Sequence, residues 1–222
     1  KMLTDCLSAG RAIVLPSGAM SGAKSALAVT GPYARAREQF GMPIAEFEGI
    51  LEPLGRMAGK LYIISSSVST TAMAIGAGEK PSVISAILKY HSTELARKIG
   101  RDAMDIHGGK AVMLGPKNYM AGGYESTPVG ITVEGANIMT RSLIIFGQGA
   151  FRCHPYVLKE IEAVNIEDKN ESLEQFDLHL FGHIGHSISC AIRALVRGIT
   201  DRFTSSPVED ETAIYYKQIN RL

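Results

Sequence analysis

Cysteine is scarce in this 222-residue sequence: Cys6, Cys153 and Cys190 stand far apart. Such an odd, sparse set fits a reducing compartment and supplies no C-x-x-C metal spacing. An excess of one charge is also missing. The 23 basic residues nearly balance the 22 acidic ones, leaving a net charge of +1 and no electrostatic case for nucleic acid. There is no run of about 18 uninterrupted apolar residues, so no membrane-spanning helix is predicted. The first ten residues include Asp5 and no long apolar stretch, unlike a secretory signal. Neither G-x-G-x-x-G after a strand nor G-x-x-x-x-G-K-[ST] occurs, so the two common phosphate-cradling loops are excluded. What the chain does have is 45% hydrophobic residues. That suffices for a sizeable core in one large domain or two small ones and rules out a disordered tail. It opens on Lys1 rather than Met, as expected of a fragment or a processed product.

Helical periodicity runs almost throughout. Ile84, Ile87, Leu88, His91, Leu95, Ile99, Ala103 and Ile106 track one face of a helix, with Pro81 at its start and Gly108-Gly109 at its end. A second helix is predicted from about Glu46 to Ala77, with Phe47, Leu51, Leu54, Ala58 and Leu61 on its core face. A third covers Leu7 to Arg37, with Pro16 as a weak point, and a fourth covers Gly135 to Ala150. Only Val129 to Val133 resembles a strand. The fold class expected is all-α, an antiparallel four-helix up-down bundle over residues 1–150. The glycine-rich stretch from Gly108 to Pro128 reads as a long crossover loop, of a length more often functional than accidental. A boundary is drawn near Phe151. Residues 151–222 form an extension in which Ile166 to Glu171 is a polar linker. A further amphipathic helix follows, through Leu173, Phe176, Leu180, Ile184, Ile188, Ile192, Leu195 and Ile199, and ends at Ser205-Ser206-Pro207.

Three groups of residues could carry chemistry. Glu134, in ITVEGAN, stands where a helix begins. It is either an ordinary carboxylate favoured by the helix dipole or a poorly solvated base. His179, His183 and His186 share neighbouring faces of the last helix, as a metal site or simply as packed and solvated side chains. A second acid–imidazole helix is missing, and no metal site is assigned. Arg37 either stabilises a helix C-terminus or clamps a phosphate.

Four segments in order resemble the C-terminal helical domain of the acyl-CoA dehydrogenase family. LSAGR (Leu7 to Arg11) looks like the segment before the family's first long C-terminal helix. AREQFGMPIAEFEGI (Ala36 to Ile50) resembles R-x-Q-F-G-x-P-I-x-x-F-Q. DIHGG (Asp105 to Gly109) stands where the family often has Gln-x-x-Gly-Gly. TVEGANIMTR (Thr132 to Arg141) resembles Y-E-G-T-N-x-x-x-x-R. The stretch from RCHPYVLKEI onward is similar to the extra C-terminal region of the long members of bacterial fatty-acid β-oxidation.

The resemblance implies that an N-terminal helical domain and a middle β domain precede this chain in the complete enzyme. It implies FAD as cofactor and oxidation of a fatty acyl-CoA to the trans-2-enoyl-CoA, the fragment alone being inactive. Glu134 falls on the base position. Arg11 and Gly135 fall on substrate-binding positions, and Arg37, Gln39, Phe47, Gly108, Gly109 and Asn137 on flavin-binding ones. Of these, Arg37, Gln39, Gly108 and Gly109 would act across a subunit interface. Implied partners are the acyl-CoA, an electron-transfer flavoprotein or similar acceptor, and further copies of the chain. The implied location is the bacterial cytoplasm, with contact to the inner membrane surface left open. Val133, Ala136, Glu48, Asp105 and Ser8 depart from the family pattern. The first four of these departures motivate the alternative of a non-catalytic oligomerisation or docking module.

Overall fold

The computed structural model describes residues 2–200 and 206–219. Ser205, part of the expected end of the last long helix, lies outside them, and so does the side chain of Ser8. The chain divides into two compact units, Lys1–Gly149 and Ala150–Leu222.

The first unit is built on three long helices: α1 (Met2–Ala36), α2 (Glu48–Gly76) and α3 (Ser82–His107). A tight antiparallel hairpin, β1 (Glu38–Gln39) with β2 (Met42–Pro43), joins α1 to α2. Phe40 (φ 53°) and Gly41 (φ 81°) at its tip adopt the left-handed conformation that so short a reversal needs. After α3 come α4 (Gly109–Val112), α5 (Ala121–Thr132) and α6 (Asn137–Met139). The last runs on through a π-helical stretch, Thr140–Gln148, into α7 (Gly149–Cys153).

Side-chain contacts fix the directions. Arg11 near the start of α1 and Lys89 near the start of α3 both reach the loop between α5 and α6. Tyr33 and His107, near the other ends of α1 and α3, stack with ring centroids 4.2 Å apart. α1 and α3 are therefore parallel. Arg56 and Lys60, early in α2, meet Asp102, late in α3, so α2 runs the opposite way. Gly100 lies beside Tyr124, Gly130 beside Thr93 and Gly149 beside Val83. The fourth pass, α5 followed by α6 and the π-helical stretch, is thus antiparallel to α3. The result is an up-down bundle whose fourth helix is broken, the two halves meeting at 43°.

The core gathers Ala23 and Ala34 of α1, Met57, Ile64 and Val68 of α2, and Leu88, Ile99, Ala103 and Ile106 of α3, with Ile44, Ala111 and Met120 from the connections. Several expectations are corrected. Leu51 and Ala58 are exposed; α2 turns Met57, Ile64, Val68 and Thr71 inward instead. Ile84 and His91 are exposed, because the first half of α3 buries Ser85, Lys89, Ser92 and Thr93. Helix α1 runs through the expected stretch as one helix, with Pro16 and Pro32 both inside it. The strand suggested by Val129 to Val133 is helix as far as Thr132, and the crossover after Gly108 is largely taken up by α4 and α5. The stretch Arg11–Ala36 is long and apolar enough to cross a membrane by length and composition, which a count of uninterrupted apolar residues missed. In the structure it packs along α2 and α3 and buries Ala12, Ala23, Thr30 and Ala34.

The second unit pairs α8 (Val157–Val164) with α9 (Lys169–Ile199), and α10 (Ala213–Ile219) follows. Asp168 caps α9, accepting from the Asn170 and Glu171 N–H groups at 2.9 Å. The IEDKNE segment is therefore half turn and half helix start. Helix α9 ends at Ile199, short of the serines.

Candidate active site

The break in the fourth helix spans Val133 to Ala136. Glu134 (φ 52°) and Gly135 (φ 90°) both take left-handed backbone there. For Glu134 this costs roughly 1–2 kcal/mol, and strain of this kind persists where surrounding contacts over-determine it. The contacts are present. Arg11, only 8% exposed, donates from Nε to the Glu134 carbonyl at 3.1 Å. Thr140 Oγ1 donates to the Gly135 carbonyl at 3.1 Å. A Cβ at Gly135 would stand 3.2 Å from that same hydroxyl oxygen, so the position suits glycine twice over.

Beneath the loop lies Lys89, which sequence reasoning did not single out. Its side chain is fully buried, and Nζ donates to the carbonyls of Ile131 (3.3 Å) and Gly135 (2.8 Å) and to Asn137 Oδ1 (2.7 Å). Three acceptors match the three hydrogens of the ammonium form. Burial pushes the lysine pKa down and Arg11 pushes it the same way, while Glu134 and Glu94 pull it back up. The Asn137 amide donates to Thr93 Oγ1 and Glu94 Oε1, each at 3.0 Å. Both of its amide hydrogens are thus spent inside the protein. Amid this saturated network one atom stands out. Glu134 Oε2 is buried and has no hydrogen-bond partner among the described residues.

The remaining expected site residues gather elsewhere. Arg37 and Gln39 are exposed on the hairpin, and Phe47 packs edge-on to Phe40 with centroids 6.3 Å apart. Gly108 (φ 56°) and Gly109 are exposed at the end of α3, with open space where a Cβ would sit. They are anchored from behind. The Tyr33 hydroxyl donates to the His107 carbonyl (3.3 Å), the His107 Nδ1–H donates to the Ala103 carbonyl (2.8 Å), and His107 Nε2 accepts from the Tyr119 hydroxyl (2.9 Å). Along α1, from Arg11 to the hairpin, the two groups of residues are separated by roughly 38 Å at 1.5 Å per residue.

Burial pushes the His107 pKa below the ordinary histidine value. The unfolded chain therefore takes up a proton at a pH where the folded one does not, and stability must fall as pH drops below about 6.5. Urea unfolding of the wild type between pH 8 and 5 should show this decline, and His107→Phe should flatten it. An unchanged slope in the variant would place the titrating group elsewhere.

His183 Nδ1 lies 2.8 Å from Glu160 Oε1, and His186 Nε2 lies 3.4 Å from Cys190 Sγ. Among the described residues no three His, Cys, Asp or Glu side chains are placed to hold a metal ion.

Residues 1–147 match the family model for the acyl-CoA dehydrogenase C-terminal domain, and residues 151–222 match that for the bacterial-type acyl-CoA dehydrogenase C-terminal region. The chain belongs to the acyl-CoA dehydrogenase family. It is 37% identical over 103 residues to the 3-(aryl)acrylate reductase of Clostridium sporogenes, covering 46% of this chain and 27% of that protein. It therefore spans about a quarter of that relative's length. The acyl-CoA dehydrogenase of Geobacillus kaustophilus superposes with a TM-score of 0.60 at 27% identity, over 64% of this chain and 36% of that one. Butyryl-CoA dehydrogenase from Megasphaera elsdenii superposes with a TM-score of 0.62 at 24% identity, over 68% of this chain and 38% of that one, a likeness of fold.

Proposed function

We propose that this chain is the C-terminal helical part of a flavin-dependent enzyme that oxidises a fatty acyl-CoA to its trans-2-enoyl-CoA, with Glu134 as the base. The observation that carries the reading is the buried, unpartnered Glu134 Oε2. An unmatched buried carboxylate oxygen is costly, and the loop that holds it is strained and braced from two helices. Such an oxygen is suited to accept the α-proton of a thioester, a proton too weakly acidic for a solvated surface carboxylate.

The hairpin and the Gly108-Gly109 turn fit the cofactor. Arg37 and Gln39 offer a guanidinium and an amide for a diphosphate, and the open glycines allow close backbone approach. Bound FAD supplies the acceptor for the β-hydride. Because the hairpin and Glu134 lie at opposite ends of α1, we read the working enzyme as a homo-oligomer in which one protomer's hairpin completes another's site. Glu48, a departure from the family pattern, stands in the first turn of α2, where the helix dipole favours an acid. An electron-transfer flavoprotein or a comparable carrier would take the electrons onward.

The similarity to a 3-(aryl)acrylate reductase supports a second reading, the same site run in reverse with protonated Glu134 delivering the α-proton. Anaerobic mixing of full-length flavoprotein with saturated acyl-CoAs decides between them. Bleaching of the oxidised flavin band is the expected result. No bleaching, together with reoxidation of pre-reduced enzyme by enoyl-CoAs, would favour the reductase. Full-length protein that never binds FAD would overturn both.

A further inference from the structure

We propose that Lys89 is the positioning residue for the base, holding the strained Glu134 loop by stapling the two halves of the broken fourth helix across it. This rests on the reading of Glu134 given above. The three acceptors of its ammonium come from three different places. Ile131 contributes a carbonyl from the last turn of α5, Gly135 a carbonyl from the loop itself, and Asn137 its side-chain oxygen from the first residue of α6. In an unbroken helix the Ile131 carbonyl would be bonded by the N–H four residues on. The chain instead leaves the helix after the Val133 N–H bonds the Val129 carbonyl, and Lys89 takes up the orphaned acceptor. A cation at a helix C-terminus also matches the dipole of α5. Glu134 lies between the first two anchors, with its own carbonyl held from the other side by Arg11. Its left-handed φ is thereby set by two cations on two helices.

Lys89 is fully buried and its three hydrogens are all engaged, so it does not touch substrate. Its influence passes through the backbone, as an ångström of misplacement of the carboxylate relative to the α-proton. A shift of that size can cost on the order of 100-fold in rate. Neutral donors would serve the same acceptors less well, since a charge-assisted bond is roughly twice as strong as a neutral one.

The test uses full-length flavoprotein carrying Lys89→Met, Lys89→Gln or Lys89→Arg, with Glu134→Gln measured alongside. In Lys89→Met, kcat should fall about 100-fold while KM for acyl-CoA moves less than about threefold. Lys89→Arg, which keeps the charge and the donors, should regain at least about tenfold over the Met variant. Lys89→Gln should lie between them, and it replaces the Met variant if that does not accumulate with flavin. A kcat within about twofold of wild type in either neutral variant, with Glu134→Gln inactive, overturns the proposal and spares the assignment of the base. So does a loss confined to KM. If neither neutral variant accumulates as folded flavoprotein, Lys89 is a folding element and the proposal falls. A fully active Glu134→Gln enzyme removes the base and the proposal together.

Discussion

Glu134→Gln should lower the turnover of the full-length enzyme by about 1,000-fold, in the middle of the range for removing a positioned general base, and yet leave the protein no less stable. The two halves of this expectation come from the same atoms. Gln is isosteric with Glu, and the loop is held through main-chain groups: Arg11 bonds the Glu134 carbonyl, and Lys89 and Thr140 bond the Gly135 carbonyl. None of these bonds needs the carboxylate. What disappears is an acceptor for a proton at Oε2. The atom that takes the place of Oε2 is still buried without a partner, but it is never charged, and burying a neutral polar group costs less than burying a charged one. A residue kept for structure behaves in the opposite way, losing stability first. Steady-state turnover and thermal unfolding on the same preparation separate the two cases. Retained turnover, or a Tm that drops by several degrees with turnover intact, would return Glu134 to the role of a helix-start carboxylate.

The bundle was legible because α2 and α3 advertise themselves by apolar spacing and by Pro or Gly near their ends, and those signals are local. The break that creates the site was not. Val129, Ile131, Thr132 and Val133 are β-branched and suggest a strand, but tertiary packing overrides that preference. A Cβ at Gly130 would stand 3.4 Å from Thr93 Cγ2, so α5 lies close against α3 along this stretch. Propensity read along one segment carries no information about a neighbour 37 residues away. Glu134 could be picked out by resemblance, whereas its strained φ and unpartnered oxygen are properties of the assembled loop. Lys89 escaped for a further reason. A lone lysine within an apolar run is ordinarily taken to reach solvent. A signal did exist: Ser85, Lys89, Ser92 and Thr93 recur at helical spacing and all are buried. A polar stripe on the inward face of a core helix is what an internal hydrogen-bond network requires, and two of its members, Lys89 and Thr93, bond the Glu134 loop and the helix start after it.

Asp102→Ala should destabilise the folded protein by about 2–4 kcal/mol at neutral pH, at or just below the usual cost of removing one partner from a buried ion pair. Asp102 is 2% exposed near the end of α3. Its two oxygens accept from Arg56 Nε (3.0 Å) and Nη2 (3.2 Å), and one of them also accepts from Lys60 Nζ (3.1 Å). These bonds tie α2 to α3 across the bundle. Removal leaves the Lys60 ammonium, itself largely covered, without its carboxylate. Arg56 keeps Glu52 and partial contact with solvent, which holds the expected loss below the top of the range. The acid dependence supplies a second, independent readout. Burial alone would raise the Asp102 pKa, but the hydrogen bonds and charges of Arg56 and Lys60 outweigh it and hold the carboxyl below its ordinary value. The stabilisation is therefore complete above about pH 4, the unfolded value, and is lost as pH falls through the lower folded one. Wild type and variant should differ most in urea midpoint at pH 7 and converge in strong acid. Histidine titration moves both proteins alike over the intervening range, so their difference isolates the aspartate. A gap that stays constant down to strong acid would mean that lost packing, and not the charge bridging α2 and α3, sets the effect.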